Sequence, residues 1–262
     1  MVSAPRLYAD LAHLWPALSP PDDYAAEAAE LGRLLAERCG PGPLKLCEFG
    51  AGGGSTLAHL SGLGSRGGVH DVTAVDLSPE MLAVAAGHAP GLRVVVADMR
   101  TVTLPNAGRF DAVLAHDAID YLRTEADLLA TARAAAALLR PGGVFLAAPT
   151  YTAETFEPGE AADDAVLLAG GGRPAEEVSY VTRVEGSADR GVRMTISLTV
   201  RGEGGAVEEV EDIHELGLFG EAVWLRALCA AGLDAGAVES DGPWSMFVGR
   251  RPCQGASAPC RP

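Results

Sequence analysis

The stretch CEFGAGGGST, residues 47–56, decides how the rest of the chain is interpreted. It ends a short apolar run, LKLCEF, and places Gly50, Gly52 and Gly54 directly before the helix-like segment STLAHLSGL. Glycine permits a tight turn and lets a ligand approach main-chain N–H groups closely. A strand, a glycine-rich turn and a helix in this order therefore indicate a binding loop. A glycine-rich connection that holds no ligand is the alternative.

Strand-like and helix-like segments alternate on both sides of this turn. The predicted strands are LKLCEF, DVTAVD, LRVVVAD, FDAVLAH and PGGVFLAAP, and the longer predicted helices are YAAEAAELGRLLAER, PEMLAVAAGHA and TEADLLATARAAAALLR. Strands made almost entirely of Val, Ala and Leu are typical of a parallel sheet that helices cover on both faces. We therefore predict an α/β fold with a Rossmann-like, doubly wound, mostly parallel sheet.

The pattern changes after residue 149. Residues 150–177 contain Gly, Pro and acids with little periodicity, which predicts a loop or lid. VSYVTRV, VRMTISLTV and AVEEVEDIH then alternate apolar and polar residues, which predicts a small inserted antiparallel sheet. The predicted units are an N-terminal helical segment (1–40), the core (41–150), the loop and insert (151–219), a C-terminal completion of the core (220–251) and a flexible tail (252–262).

Three acids stand at or near the carboxyl ends of the first three core strands. Glu48 lies two residues before Gly50, Asp76 ends VTAVD, and Asp98 ends VVVAD. Ligands of open α/β sheets bind beyond these strand ends, and an acid about 20 residues after the glycine turn suits ribose hydroxyls. The three carboxylates therefore predict one crevice for an adenosine-containing ligand. A helix-capping role for Asp76 is the alternative.

Composition limits the class of partner. The chain has 262 residues, 48% of them hydrophobic, and a formal net charge of −15. It shows no basic stripe that could displace counterions from phosphates, so we do not expect a nucleic-acid partner. Apolar runs are too short to span a bilayer, and MVSAPRLYADLAHLWP lacks the layout of a signal peptide. These features predict a cytoplasmic protein without a membrane partner.

Histidines and cysteines predict no metal site. The five cysteines match no zinc spacing, and the histidines are scattered along the chain. Cys39, Cys47 and Cys229 lie in apolar contexts and are predicted to be buried free thiols.

A family resemblance adds to this interpretation. EFGAGGGST, DLSPEML, ADMR, FDAVLAHDAIDYL and LLRPGGVFLAAP stand in the order and spacing of class I S-adenosylmethionine-dependent methyltransferases, which the chain resembles over most of its length. DYAAEAAEL, IDYLRTEADL, PTYTAETF, VEDIHELGLF and SMFVGR are similar to bacterial small-molecule N-methyltransferases. Among these, the resemblance is to the sugar-amine N,N-dimethyltransferases of antibiotic biosynthesis.

The resemblance implies S-adenosylmethionine as cofactor, with S-adenosylhomocysteine as product. It implies that the N-terminal segment closes over the cofactor, and that the antiparallel insert covers the active site and supports a homodimer. The glycine turn, with Gly54 at its end, would hold the methionine and ribose portion. The implied cofactor-binding residues are Trp15, Tyr24, Glu48, Gly50, Ala51, Gly52, Asp76, Leu77, Met81, Asp98, Met99 and His116.

Methyl transfer needs a group that accepts a proton only if the amine arrives protonated, as an amine does at neutral pH. His116 is the first candidate, because it ends the fourth strand at the predicted crevice, and Asp117 and His214 are the others. Each has a structural alternative: a hydrogen-bonded or buried histidine, or a capping aspartate. The predicted acceptor-binding residues are Tyr8, Tyr121, Tyr151 and Phe156.

The predicted function is methylation of a small secondary metabolite, at the amine of an amino sugar or a similar intermediate. O-methylation of a hydroxylated natural product is the second hypothesis, and a cyclisation scaffold that binds the cofactor without methyl transfer is the third. A nicotinamide oxidoreductase is disfavoured, since Lys45 is the only lysine of the chain and no Tyr-x-x-x-Lys pair exists.

Overall fold

A computed structural model describes residues 5–40, 42–62, 69–89, 91–105, 107–170, 173–187, 191–202, 205–238 and 245–253. The helices are α1 (Trp15–Leu18), α2 (Ala25–Cys39), α3 (Ser55–Gly62), α4 (Pro79–His88), α5 (Glu125–Leu138) and α6 (Glu221–Ala230). The strands are β1 (Leu44–Phe49), β2 (Val69–Asp76), β3 (Arg93–Val96), β4 (Phe110–His116), β5 (Leu139–Ala148), β6 (Gly159–Gly170), β7 (Arg173–Ser187), β8 (Gly191–Gly202), β9 (Val207–Leu216), β10 (Asp234–Val238) and β11 (Met246–Arg250). Short 3₁₀ turns span Arg6–Tyr8, Ala12–Leu14, Pro21–Tyr24 and Ala118–Tyr121.

The core is a seven-stranded sheet in the order β10-β11-β5-β4-β1-β2-β3. Strands β1 to β5 pair in parallel, and β11 pairs antiparallel with β5 and β10. Buried side chains cover both faces of the sheet. This arrangement confirms the predicted doubly wound fold. The strand order reverses between β1 and β4, so the crevice for a ligand lies where the glycine turn and the end of β4 meet.

The antiparallel sheet of the insert is larger than the sequence predicted. Strands β6 to β9 form a separate four-stranded antiparallel sheet. Part of residues 150–177, predicted to be a loop or lid, forms the paired strands β6 and β7. The prediction failed because it required apolar–polar alternation, whereas strand formation here depends on the pairing of β6 with β7 and of β7 with β8.

The N-terminal segment packs on this antiparallel sheet. Leu7, Leu11 and Leu14 form an apolar cluster with Val178, Leu198 and Val210. The segment is therefore held between the insert and the cavity described below.

Two further predictions have different outcomes. Cys39 and Cys47 are free thiols, as predicted, but only Cys47 is fully buried and Cys39 is half-buried. Cys229 on α6 is disulfide-bonded, so its assignment as a free thiol was wrong. Apolar neighbours in sequence carry no information about a distant partner cysteine.

The predicted tail lies almost wholly outside the described residues. None of the described helices combines the length and apolar content that a bilayer crossing requires.

Candidate active site

The glycine turn, the ends of β2 and β4, the N-terminal segment and the insert surround a cavity of about 790 Å³. Most predicted site residues line it: Tyr8, Trp15, Tyr24, Glu48, Gly50, Ala51, Gly52, Gly54, Asp76, Leu77, Met81, Asp98, Met99, His116, Asp117, Tyr121 and Tyr151. The predicted residues Phe156 and His214 do not line it. Met194 and Leu216 of the insert do.

Asp76 and the glycine turn form one hydrogen-bonded unit. The Asp76 carboxylate accepts the N–H of Gly52 at 2.8 Å and the N–H of Ser78 at 2.8 Å. The Ser78 side chain caps α4 by accepting the N–H of Met81 at 3.0 Å. Burial raises the pKa of Asp76, while these backbone N–H groups oppose that shift. Because Ser78 is the cap, the Asp76 carboxylate faces the cavity and keeps lone pairs for a ligand's hydroxyls.

Asp98 forms a local ion pair. Its oxygens accept the N–H of Arg100 at 2.8 Å and the Arg100 guanidinium at 2.6 Å, a contact that lowers the pKa of Asp98. The sequence assigned Arg100 no role, and the structure shows that it neutralises Asp98. Asp98 and Met99 still line the cavity, and Leu77 at its rim is 67% exposed.

Glu48 is buried at the floor of the cavity, and its Oε2 has no hydrogen-bond partner. Burial raises the pKa of Glu48 to about 8. An unsatisfied buried carboxyl oxygen is costly unless a ligand completes it. A cationic ammonium would supply both the missing hydrogen bond and the compensating charge.

Glu48 makes the stability of the ligand-free protein depend on pH. Its carboxyl binds more protons when folded than when unfolded between pH ~4.5 and the folded pKa of about 8. Folding stability should therefore fall as pH rises through that window. Between about pH 5 and pH 8, the free energy of unfolding of Glu48→Gln should therefore fall less with pH than that of the parent protein. The difference between the two slopes should be up to ~1.4 kcal/mol per pH unit. Urea denaturation at several pH values measures this, and parallel pH slopes would contradict it.

His116 forms a tight pair with a residue that the sequence did not single out. Its Nε2 lies 2.6 Å from Oε1 of Glu27 on α2 and 3.3 Å from Oδ1 of Asp117. Burial disfavours the charged ring, but Asp117 and the hydrogen bond to Glu27 outweigh it and raise the pKa of His116 to about 9. This shift favours the protonated ring, which argues against the predicted role of His116 as the first proton acceptor. The sequence shows that Glu27 is an acid in the first turn of α2, but it does not show that His116 is its partner.

Asp117 has a strained backbone. Its φ is 43°, and among the described residues it is the only non-glycine residue with a positive φ. Such a conformation costs about 1–3 kcal/mol and is concentrated at functional sites. The carboxylate is half-exposed to the cavity, and one oxygen accepts the Thr150 hydroxyl at 3.0 Å. Enclosure by the cavity wall raises the pKa of Asp117, which makes the carboxylate a better proton acceptor.

Asp120 is a further cavity residue that the sequence analysis missed. It is buried, and its carboxylate accepts the N–H of Thr150 at 3.0 Å. Burial raises the pKa of Asp120 to about 7. Its carbonyl accepts the N–H of Gly217 at 2.6 Å, which joins the turn after β4 to the end of the insert. Asp120 is the aspartate of IDYLRTEADL, a stretch that carries the family resemblance, and this was the only sequence signal for it.

Phe156 and His214 support cavity residues instead of lining the cavity. Phe156 packs edge-on against Tyr151, with ring centroids 5.4 Å apart. His214 is 1% exposed on β9, and its Nδ1 lies 2.6 Å from the Tyr121 hydroxyl. Both side chains therefore lie behind the cavity lining, one layer away from where the sequence predicted them. Alternation along a strand identifies which residues share a face, but not what that face meets.

Aromatic residues of the N-terminal segment stand at the other side of the cavity. The Trp15 ring occupies the space where a Cβ on Gly53 would lie, so it packs directly on the glycine turn. The Tyr8 and Trp15 rings meet edge to face with centroids 5.4 Å apart. The Tyr24 hydroxyl lies 2.7 Å from the Ser19 hydroxyl. Aromatic faces at this position can attract a sulfonium or ammonium charge.

No metal site accompanies these groups in the described ranges. No three His, Cys, Asp or Glu side chains there come together in a way that could hold a metal ion.

Comparisons with known proteins agree with this geometry. Residues 47–147 match a family model described as a methyltransferase domain. The chain is 34% identical over 230 residues to the dTDP-3-amino-3,4,6-trideoxy-α-D-glucopyranose N,N-dimethyltransferase of Streptomyces venezuelae, covering 87% of this chain and 91% of that protein.

Two solved structures resemble the whole chain. One is the sugar N-methyltransferase KedS8 of a Streptoalloteichus species, at a TM-score of 0.78 and 29% identity, covering 96% of this chain and 95% of the other. The second is S-adenosylmethionine-bound CalS10, an amino pentose methyltransferase of Micromonospora echinaspora, at a TM-score of 0.72 and 28% identity, covering 91% and 96%. This chain therefore belongs to the class I S-adenosylmethionine-dependent methyltransferases, within the group of bacterial amino-sugar N,N-dimethyltransferases.

Proposed function

We propose that the protein methylates the amino group of a nucleotide-linked amino sugar. The observation that carries this proposal is a single cavity with two kinds of wall. One wall is the glycine turn with Asp76, and the other is built from Asp117, Tyr151 and the insert residue Met194. Its volume of about 790 Å³ is in the range of small-molecule sites. The relative from S. venezuelae is named for such an acceptor.

S-adenosylmethionine is the cofactor, and when bound it supplies a methyl group on a positively charged sulfur. The cavity fits this molecule, because the buried, unsatisfied Oε2 of Glu48 suits an ammonium. The Asp76 carboxylate beside the glycine turn suits ribose hydroxyls. Asp98 and Met99 would face the adenine. These residues would bind and orient the donor, and alignment can contribute about 7–11 kcal/mol toward the barrier.

Asp117 is the residue that we propose binds the acceptor's amine and accepts its proton. An ammonium is unreactive until it loses a proton, because its nitrogen has no lone pair. The Asp117 carboxylate would attract the ammonium and take one proton, leaving the free amine. The protonated His116 next to it, held by Glu27 at 2.6 Å, would keep the Asp117 carboxylate ionised until the amine binds.

The test is incubation of the protein with S-adenosylmethionine and dTDP-3-amino-3,4,6-trideoxyglucose. Mass spectrometry should show one or two added methyl groups, with an equal number of S-adenosylhomocysteine molecules released. Methylation of a 3-hydroxy analogue in place of the amine would favour the O-methylation hypothesis. Conversion of an acceptor without release of S-adenosylhomocysteine would favour the scaffold hypothesis.

Asp76→Ala should weaken binding of S-adenosylhomocysteine by about 10- to 100-fold. Hydrogen bonds to a charged acceptor contribute about 1.5–3 kcal/mol, and the variant removes those to the ribose. Isothermal titration calorimetry measures the change. Asp71→Ala is the matched control, because Asp71 lies on the same strand and forms its ion pair with Lys45 at 3.3 Å, outside the cavity lining. Equal affinities for the two variants would contradict the assignment.

We also propose that the protein acts as a homodimer in the cytoplasm. The resemblance to sugar-amine N,N-dimethyltransferases supports a dimer through the insert, and the exposed Val207 and Ile213 of its strand β9 are apolar surface that a partner would cover. Light scattering at micromolar concentration should give the mass of two chains, and Ile213→Glu should lower it. A monomeric mass for the unaltered chain would contradict the dimer.

A further inference from the structure

Four side chains form a polar chain that leads from the insert to the cavity wall. Asp212 and His214 lie on β9, Tyr121 lies on the turn after β4, and Tyr8 lies on the N-terminal segment. The Tyr121 hydroxyl is 2.9 Å from the Tyr8 hydroxyl and 2.6 Å from Nδ1 of His214. Nε2 of His214 is 3.5 Å from Oδ2 of Asp212. Only the two tyrosines line the cavity, so the histidine and aspartate act through them.

The chain has a defined direction of hydrogen bonding. Tyr121 has one hydroxyl hydrogen, and the geometry directs it to the Tyr8 oxygen. At 2.6 Å from His214, the Tyr121 oxygen must then accept, so Nδ1 of His214 carries a hydrogen. The opposite tautomer would set two lone pairs against each other in a site where His214 is 1% exposed. The Tyr8 oxygen accepts from Tyr121, which leaves the Tyr8 hydrogen free to be donated elsewhere.

Asp212 fixes the far end of the chain. Its oxygens accept the N–H of Arg6 at 3.0 Å and the N–H of Leu7 at 2.8 Å, so it anchors the backbone that carries Tyr8. Burial opposes its charge, but His214 and these N–H groups outweigh it and lower the pKa of Asp212. Nε2 of His214 makes no hydrogen bond, so the orientation of the ring is set by the contact of Nδ1 with Tyr121. The Tyr8 ring packs edge-on against the rings of Tyr121 and His214, at 5.9 Å and 5.5 Å.

We infer that Tyr8 is an obligate hydrogen-bond donor into the cavity and that its hydroxyl meets an oxygen of the bound molecule. His214 is the positioning residue: acting through Tyr121, it sets the direction of the hydrogen bonds and so leaves the Tyr8 hydrogen free. The oxygen would belong to a carboxylate or a hydroxyl, and both the donor's methionine end and a sugar offer one. This inference rests on the proposed function for the identity of the ligands. Burial raises the pKa of Tyr8, so the hydroxyl keeps its hydrogen at neutral pH.

The first test does not depend on catalysis. ¹⁵N NMR of histidine-labelled protein should show a protonated Nδ1 for His214, identified as the signal that disappears in His214→Asn. An unprotonated Nδ1 would mean that Tyr121 donates to His214, and the inference would be overturned. This result stands whether or not an amino sugar is the acceptor.

The second test measures coupling between the ends of the chain. Tyr8→Phe and His214→Leu should each weaken binding of one ligand by about fivefold, the size of one neutral hydrogen bond. Tyr8→Phe/His214→Leu should be no weaker than Tyr8→Phe alone, because both changes remove the same donated hydrogen. His214→Asn should recover most of the loss, since its amide N–H replaces Nδ1–H. Glu211→Thr, at an exposed neighbouring position on β9, is the control for damage to the strand.

Two readouts locate the oxygen. A weaker calorimetric affinity for S-adenosylhomocysteine assigns it to the donor, and a raised KM for dTDP-3-amino-3,4,6-trideoxyglucose with unchanged donor affinity assigns it to the acceptor. Losses that multiply in the double variant, or no change in either readout, would overturn the inference. If the amino sugar is not methylated, the proposed function fails, while NMR and donor calorimetry still decide the role of Tyr8.

Discussion

Asp117→Asn should lower kcat for the amino-sugar acceptor by about 10²- to 10⁴-fold at neutral pH, the range that removal of a general base produces. The amide preserves the shape of the side chain and can still accept the Thr150 hydroxyl, which lies 3.0 Å from Oδ1. It cannot attract an ammonium by charge or accept its proton. Affinity for S-adenosylhomocysteine should stay within about twofold, because the glycine turn and Asp76 are untouched.

The pH dependence separates this role from a structural one. Without the carboxylate, the variant must bind amine that is already unprotonated, and that fraction rises about tenfold per pH unit below the amine's own pKa. We therefore expect kcat/KM of Asp117→Asn to climb with pH toward that of the unaltered enzyme. Asp71→Asn, at the opposite end of β2, is the control. A kcat for Asp117→Asn equal to that of the control at every pH would exclude Asp117 as the proton acceptor.

Gly50→Ala should lower the free energy of unfolding by about 2–5 kcal/mol. The φ of Gly50 is +65°, and an L-residue there costs about 1–2 kcal/mol. In addition, the new Cβ would overlap the Cβ of Ala118 on the turn after β4, and forced overpacking costs about 1–3 kcal/mol. Urea denaturation measures the sum, and cofactor binding should be lost with the turn that carries it.

Two companion variants separate the two costs. Gly40→Ala has a φ of +89° but no atom within 4 Å of the new Cβ, so it should show only the backbone cost. In Gly50→Ala/Ala118→Gly, removal of the overlapping methyl should recover the packing cost. If Gly50→Ala is no less stable than Gly40→Ala, the close approach of Ala118 is not what requires glycine at this position.

The cofactor half of the site could be predicted from sequence because its determinants are local. Ser78 and Thr124 cap the helices that begin directly after them, each by accepting an N–H three residues on. Parallel strands place their carboxyl ends at one edge of the sheet, so the alternation of segments alone brings Asp76 and Asp98 together. Even there, the tight turn that the sequence suggested, seen in the φ of +65° at Gly50, is only one of two reasons for glycine at this position. The missing side chain makes room for Ala118.

The acceptor half depends on contacts between distant parts of the chain. The partner of His116 is Glu27, on a helix that precedes the sheet, and the anchor of the Tyr8 segment is Asp212, over two hundred residues away. Burial decides which of these groups carries a proton, and burial is a property of the packed molecule. The succession of strands and helices, the helix caps and the glycine turn follow from the sequence itself, because each is fixed by neighbours along the chain. Protonation of His116, the strands within residues 159–187 and the positions of Phe156 and His214 behind the cavity wall were decided only by tertiary packing, because no local rule specifies which remote surface a side chain will meet.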